Sequence, residues 1–141
     1  MENKWIERTK RYEGIRLKPY MCPTGHLTIG YGHNLENGIT ADMAEYILQR
    51  DLALAQMEVG ANISWSSQLD EVRQYVLVDM SFNMGIGKLL TFKKFLAALK
   101  KRDYFTAAKE MLDSRWAVQT GRRAKELAEM MKTGEYVCLN S

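Results

Sequence analysis

The sequence predicts a predominantly helical α+β protein with one small antiparallel hairpin region close to its amino terminus. Three observations carry that reading. From Thr40 onward, apolar residues recur at helical spacing through most of the chain. Between Leu17 and Leu35 that period gives way to turn and strand formers: Pro19, Tyr20, Pro23, Gly25, Ile29, Gly30, Tyr31 and Gly32. The length of 141 residues, with 46% apolar and 26% charged side chains, suits a single domain (1–141) built on one core.

In chain order, Trp5, Arg8, Thr9 and Tyr12 predict a short opening helix stopped by Gly14, which leaves Glu13 at a helix end. A hairpin lobe follows over about 14–38, turning near Thr24-Gly25-His26. After the Asn37-Gly38 turn, Thr40 is expected to cap a long connecting helix over about 41–59, carrying Ala44, Ile47, Leu48, Leu52, Ala55 and Val59. Residues 60–141 make a larger helical lobe. Within it, Ser67 with Asp70 three residues on predicts a capped start for a helix bearing Val72, Val76, Met80 and Met84, ended by Gly85. Three shorter helices are expected over about 92–101, 104–113 and 121–133, with Gly134 ending the last. Met43, Met57, Met80, Met84, Met111, Met130 and Met131 read as adaptable core filling.

Composition excludes several classes of function. The longest apolar runs, Val76 to Val78 and Phe95 to Leu99, fall far short of the ~20 residues that span a bilayer. Met1 to Arg8 mixes charged and apolar residues and lacks the apolar stretch of a secretory signal, so synthesis is expected to end in the cytoplasm. A net charge of +3 and a pI near 8.8 suit an anionic polymer, with basic residues gathered late at Lys93, Lys94, Lys100, Lys101, Arg102, Arg122, Arg123 and Lys125. An ordinary solvated helical face explains that cluster equally well. A nucleic-acid-binding helix would interleave stacking aromatics with its basic residues, and this pattern is missing. Cys22 and Cys138 are too few for a disulfide framework and are expected to be reduced. Neither they nor His26 and His33 have the spacing of a closed zinc site, so no metal is expected. Gly30-Tyr31-Gly32 lacks the Lys-Ser/Thr ending of a phosphate loop.

What remains is a concentration of polar chemistry in one short stretch: Glu13, Cys22, Thr24, His26, Thr28 and His33. The run Tyr12-Glu13-Gly14-Ile15-Arg16-Leu17-Lys18-Pro19-Tyr20, then Cys22-Pro23-Thr24-Gly25 and Leu27-Thr28-Ile29-Gly30-Tyr31-Gly32-His33, resembles the active-site signature of the phage-type lysozymes. In that family a Glu, an Asp or Cys nine positions later and a Thr six beyond it form the catalytic set, and Glu13, Cys22 and Thr28 satisfy both spacings. Phe82-Asn83-Met84-Gly85 and Ser114 through Thr120, with Arg123-Ala124-Lys125, resemble the family's other cleft segments. Gly121 stands where some relatives have proline.

The resemblance implies a lysozyme-like fold, with a cleft between the hairpin lobe and the helical lobe. It also implies a peptidoglycan hydrolase that cuts the β-1,4 bond between N-acetylmuramic acid and N-acetylglucosamine and needs no cofactor. On this reading Glu13 is the general acid, and Cys22 and Thr28 position the attacking water. Phe82, Asn83, Gln119 and Thr120 contact sugar or peptide, Arg123 lies beside Glu13, and His33 pairs with Asp51 as a structural tie. A free thiol titrates well above neutral pH, so Cys22 is a poor base there unless its surroundings stabilise the thiolate; a covalent sulfur-sugar intermediate is the alternative role. His26 reads as an exposed turn residue. A lytic transglycosylase, which closes an anhydro ring without water, and a non-catalytic wall-binding protein on the same scaffold are the competing functions. The partner implied is bacterial peptidoglycan, met by a monomer that stays in the host cytoplasm until it gains the wall, either released by a holin or carried within a virion.

Overall fold

The computed structural model describes residues 2–139 and has the expected α+β class: eight α-helices and a three-stranded antiparallel sheet among the described residues. The chain groups into two compact units, residues 1–47 and 48–141.

The first unit opens with α1 (Asn3–Glu13), which ends where Gly14 takes φ 68 and donates its N–H to the Lys10 carbonyl at 2.8 Å. The sheet follows as β1 (Arg16–Met21), β2 (Leu27–Gly30) and β3 (His33–Asn34), in that spatial order. Tyr20 pairs with Thr28 and Met21 with Leu27, while the register slips between Arg16 and Tyr20, next to Pro19, which has no N–H to give to a ladder. Thr28 and Ile29 pair with Asn34 and His33 on the other side. A two-residue strand such as β3 leaves no alternation to read, which is why the sequence suggested only a hairpin. A 3-10 turn (Leu35–Asn37) closes the unit, with the Asn34 side chain accepting from the Glu36 N–H at 2.9 Å.

The helix α2 (Ala41–Asn62) starts in the first unit and continues into the second, running three residues past the expected end. Thr40 caps it as expected: its carbonyl accepts from Ala44 N–H at 3.0 Å and its hydroxyl from Met43 N–H at 3.4 Å.

The second unit holds the core. α3 (Glu71–Met84) is capped by Asp70 itself, whose carboxylate accepts the Arg73 N–H at 3.1 Å. Ser67 lies instead in a 3-10 turn (Ser64–Gln68) and bonds Ser64. A short α4 (Ile86–Leu89) leads to α5 (Lys93–Lys100), α6 (Tyr104–Leu112), α7 (Arg115–Thr120) and α8 (Arg122–Thr133). α4 and α7 were not expected, because helices of four and six residues are too short to show a period. Asp103 and Ser114 cap α6 and α7 through the N–H groups of Thr106 and Ala117. Val76, Leu77, Met80, Leu89, Phe95, Leu99, Met111, Leu127 and Met131 are wholly buried, each such side chain contributing ~1.5–3 kcal/mol of apolar burial. Met130 joins them, whereas Met43 and Met57 lie exposed on α2, outside that core.

A buried cation fastens the ends of two helices. Arg73 on α3, 8% exposed, donates from Nε to the Met131 carbonyl at 2.7 Å and from NH2 to the Lys132 carbonyl at 3.0 Å. Those carbonyls belong to the last turn of α8, where a helix has acceptors with no partner of its own and carries negative dipole. The guanidinium also stacks 3.4 Å over the Tyr104 ring and pairs with Asp70.

Candidate active site

Glu13, Cys22 and Thr28 all fall in the first unit. Glu13 is the final residue of α1, and its carboxyl lies against the backbone of the β2–β3 turn: a Cβ at Gly32 would stand 2.6 Å from Oε2 and 3.0 Å from Cδ. Gly32 also has φ +77, a conformation that costs any L side chain energy. A second contact between helix and turn comes from Lys10, whose Nζ sits 5.6 Å from the Tyr31 ring centre.

The turn between β1 and β2 brings Cys22 and Thr28 onto one acceptor. The His26 carbonyl receives both the Cys22 N–H, at 2.9 Å, and the Thr28 hydroxyl, at 2.9 Å. Thr28 is 4% exposed and Cys22 half-buried. The sulfur in turn meets the Thr24 hydroxyl at 3.0 Å and the His26 N–H at 3.3 Å. These donors draw the thiol down from its ordinary 9.0 to about 7, the Thr24 hydroxyl most strongly and the His26 N–H next. Thr28 contributes least, as expected of a hydroxyl whose proton is committed to a carbonyl. A larger share of the sulfur is therefore thiolate at neutral pH than in an unassisted cysteine. His26 is exposed, as expected, with Nδ1 3.2 Å from Glu36 Oε2. His33 places Nε2 2.9 Å from the Gly38 carbonyl, and Asp51 is an exposed residue of α2 in the second unit.

The remaining candidates belong to the second unit. Arg123 is held in a bidentate pair by Asp79 of α3, Nε to Oδ2 and NH2 to Oδ1 both at 2.8 Å. The Tyr75 hydroxyl donates to the same carboxylate at 3.4 Å, and burial together with the Asp79 charge raises its pKa, so the phenol stays protonated. These three groups, with Leu127, Met130 and Tyr136, line a cavity of about 310 Å³. Asn83 accepts from Trp116 Nε1 at 2.7 Å through Oδ1, which leaves its amide N–H groups to turn elsewhere. Phe82 and Gln119 are exposed and Thr120 half-buried.

Sequence reasoning assigns no role to Asp79, Tyr75 or Trp116. A sequence signal for Asp79 existed: it falls three residues after Val76 and beside Met80, so it is an acid within the buried stripe of α3. Such a residue needs a cationic partner. In the sequence Thr24 is one of several polar residues with nothing to set it apart, because its value depends on the shape of the turn.

Comparison with known proteins gives a consistent result. The phage lysozyme family matches residues 10–132. "Probable T4-type lysozyme 1" of Dictyostelium discoideum is 28% identical over 152 aligned positions, covering 86% of this chain and 89% of that one. "Endolysin" of Acyrthosiphon pisum secondary endosymbiont phage 1 is 32% identical, covering 87% and 85%. "Pre-baseplate central spike protein Gp5" of Enterobacteria phage T4 is 29% identical over 91% of this chain, but only 27% of its own length is involved.

Proposed function

The chain belongs to the phage lysozyme family and is a peptidoglycan-cleaving glycoside hydrolase, and we propose that Glu13 is its general acid while Cys22 and Thr28 hold the attacking water. The bond cut is the β-1,4 link between N-acetylmuramic acid and N-acetylglucosamine. One observation supports the assignment: the Cys22 N–H and the Thr28 hydroxyl both donate to the His26 carbonyl, which gathers the two residues at one point and commits the Thr28 proton, while the Cys22 sulfur receives the His26 N–H. The Thr28 proton is spent on that carbonyl, so its oxygen can only receive a hydrogen bond from water. A thiolate likewise only accepts. A water between two acceptors points both protons at the protein and a lone pair outward, the orientation needed to attack the anomeric carbon. As the new C–O bond forms, one water proton passes to the sulfur. The glycosidic C–O bond breaks, and the Glu13 proton goes to the leaving oxygen. Thiol and carboxylate then exchange one proton through solvent, restoring both groups.

From the second unit, Phe82, Asn83, Gln119, Thr120 and Arg123 contact sugar or stem peptide. Asn83 offers its amide N–H groups, and Arg123 offers the guanidinium face left by Asp79. The protein acts as a monomer. Among the described residues no helix is long and apolar enough to cross a membrane, and access to the wall is supplied by a holin. The test of water as nucleophile is digestion of purified peptidoglycan in ¹⁸O-water followed by mass spectrometry of the fragments. One heavy oxygen at each new reducing-end muramic acid is expected. Unlabelled anhydro sugars would overturn the reading in favour of a transglycosylase.

A further inference from the structure

Cys22 lies just past the end of β1, and its sulfur is held by the turn that follows. Its strongest neighbour is the Thr24 hydroxyl, 3.0 Å away at the apex of the β1–β2 turn, with the His26 N–H at 3.3 Å completing a small donor nest. The turn is closed by the Gly25 N–H on the Cys22 carbonyl at 2.9 Å and by Cys22 N–H on the His26 carbonyl, so the hydroxyl is carried on a fixed backbone. We propose that Thr24 is a positioning residue for the hydrolysis, its hydroxyl donating to Cys22 Sγ so that the sulfur keeps an accepting lone pair for water. The proposal rests on the role given to Cys22 above.

The chemistry follows from the donor inventory. A thiol and a hydroxyl at 3.0 Å share one hydrogen bond in either direction, but a thiolate has no proton to give, so Thr24 must then donate. The hydroxyl thus favours the ionised form over the neutral one, because its bond to a charged sulfur is the stronger of the two, in the same sense as the backbone N–H. Charge plays no part in this nest. His26 and Glu36, the titratable groups flanking the turn, pair with each other at 3.2 Å, and Glu13 from α1 lies over Gly32. Hydrogen bonding from neutral donors therefore accounts for the lowered thiol, and its largest part is one side chain open to substitution.

The experiment uses the full chain carrying Cys138→Ser, which removes the exposed second thiol. The rate of Cys22 alkylation by iodoacetamide is followed against pH, beside the rate of peptidoglycan clearing, for the parent, Thr24→Val and Thr24→Ser. Valine keeps the shape without the donor, and serine keeps the donor. In the parent the alkylation midpoint should lie at about 7. In Thr24→Val it should move up toward 9.0, and a rise of about one unit lowers the alkylation rate at pH 7 about 5-fold. Thr24→Ser should restore the parent profile, and the pH profile of clearing should follow alkylation in all three proteins. An unmoved midpoint in folded Thr24→Val, verified by its circular dichroism, overturns the proposal. A midpoint that moves while the clearing profile does not leaves Thr24 as the tuner of the thiol and overturns the catalytic role of Cys22.

Discussion

Gly32 offers a controlled perturbation of the acid, because Gly30, the last residue of β2, serves as its twin. Both glycines have positive φ, +70 at Gly30 and +77 at Gly32, so alanine at either should cost a similar ~1–2 kcal/mol of backbone strain. Their surroundings differ in one respect. A Cβ at Gly30 meets nothing within 4 Å, whereas one at Gly32 stands 2.6 Å from Glu13 Oε2. Restoring an ordinary contact of about 3.4 Å displaces the carboxyl by about 0.8 Å, the gap between the two distances. The carboxyl is the free end of a flexible side chain, so moving it adds little to the folding cost. Its effect on catalysis is another matter, since misplacing a catalytic group by ~1 Å can cost ~10²-fold in rate. Gly32→Ala should therefore melt with Gly30→Ala but clear peptidoglycan tens of times more slowly. Thermal melts and turbidity assays on the two variants side by side decide the matter. Equal lytic rates from two equally folded proteins would refute the geometric placement of Glu13 on Gly32.

Two further outcomes follow from the second unit and from the thiol. Arg73→Met keeps an apolar stem but strips the Met131 and Lys132 carbonyls of their donor, and should cost ~2–5 kcal/mol in denaturant titration while leaving lysis per folded molecule unchanged. An unchanged midpoint would mean that those helix-end carbonyls do not need the guanidinium. The Cys22 thiol, at about 7 folded against 9.0 when unassisted, releases its proton earlier in the native state. Its contribution to stability is thus fully present above pH 9, declines between 9 and 7, and is gone below 7. The difference in stability between parent and Cys22→Ser should follow that course, and a difference flat across the window would contradict the lowered thiol.

The features legible from sequence are those marked by punctuation or by a long period. Gly14 announces the end of α1 and so the station of Glu13, and glycines and prolines delimit the sheet region. α2 and α3 carry enough turns to show their apolar stripes, but α4 and α7 do not. The cap of α3 was misplaced because Ser67 and Asp70 are both capping types, and only the fold shows that Asp70 holds the Arg73 N–H. Long-range partners were hidden for a simpler reason. Nothing local joins Arg73 to Met131 or Asp79 to Arg123, since these pairs exist only once α3 and α8 pack together. The ionisation of Cys22 was out of reach on the same ground: it depends on where a turn sets the Thr24 hydroxyl and the His26 N–H.

The most direct measurement is the clearing rate of purified peptidoglycan by Glu13→Gln beside the parent, with melting curves of both. Glutamine keeps the size and hydrogen-bonding reach of the carboxyl but has no proton to transfer. Glu13 is not buried and sits at an open helix end, so the fold should be unaffected. General acid assistance is typically worth ~10²- to 10⁴-fold, and the expected result is a loss in that range with an unchanged melt. A folded Glu13→Gln protein that clears the wall within about tenfold of the parent rate, well short of that range, would contradict the assignment of Glu13 as the acid.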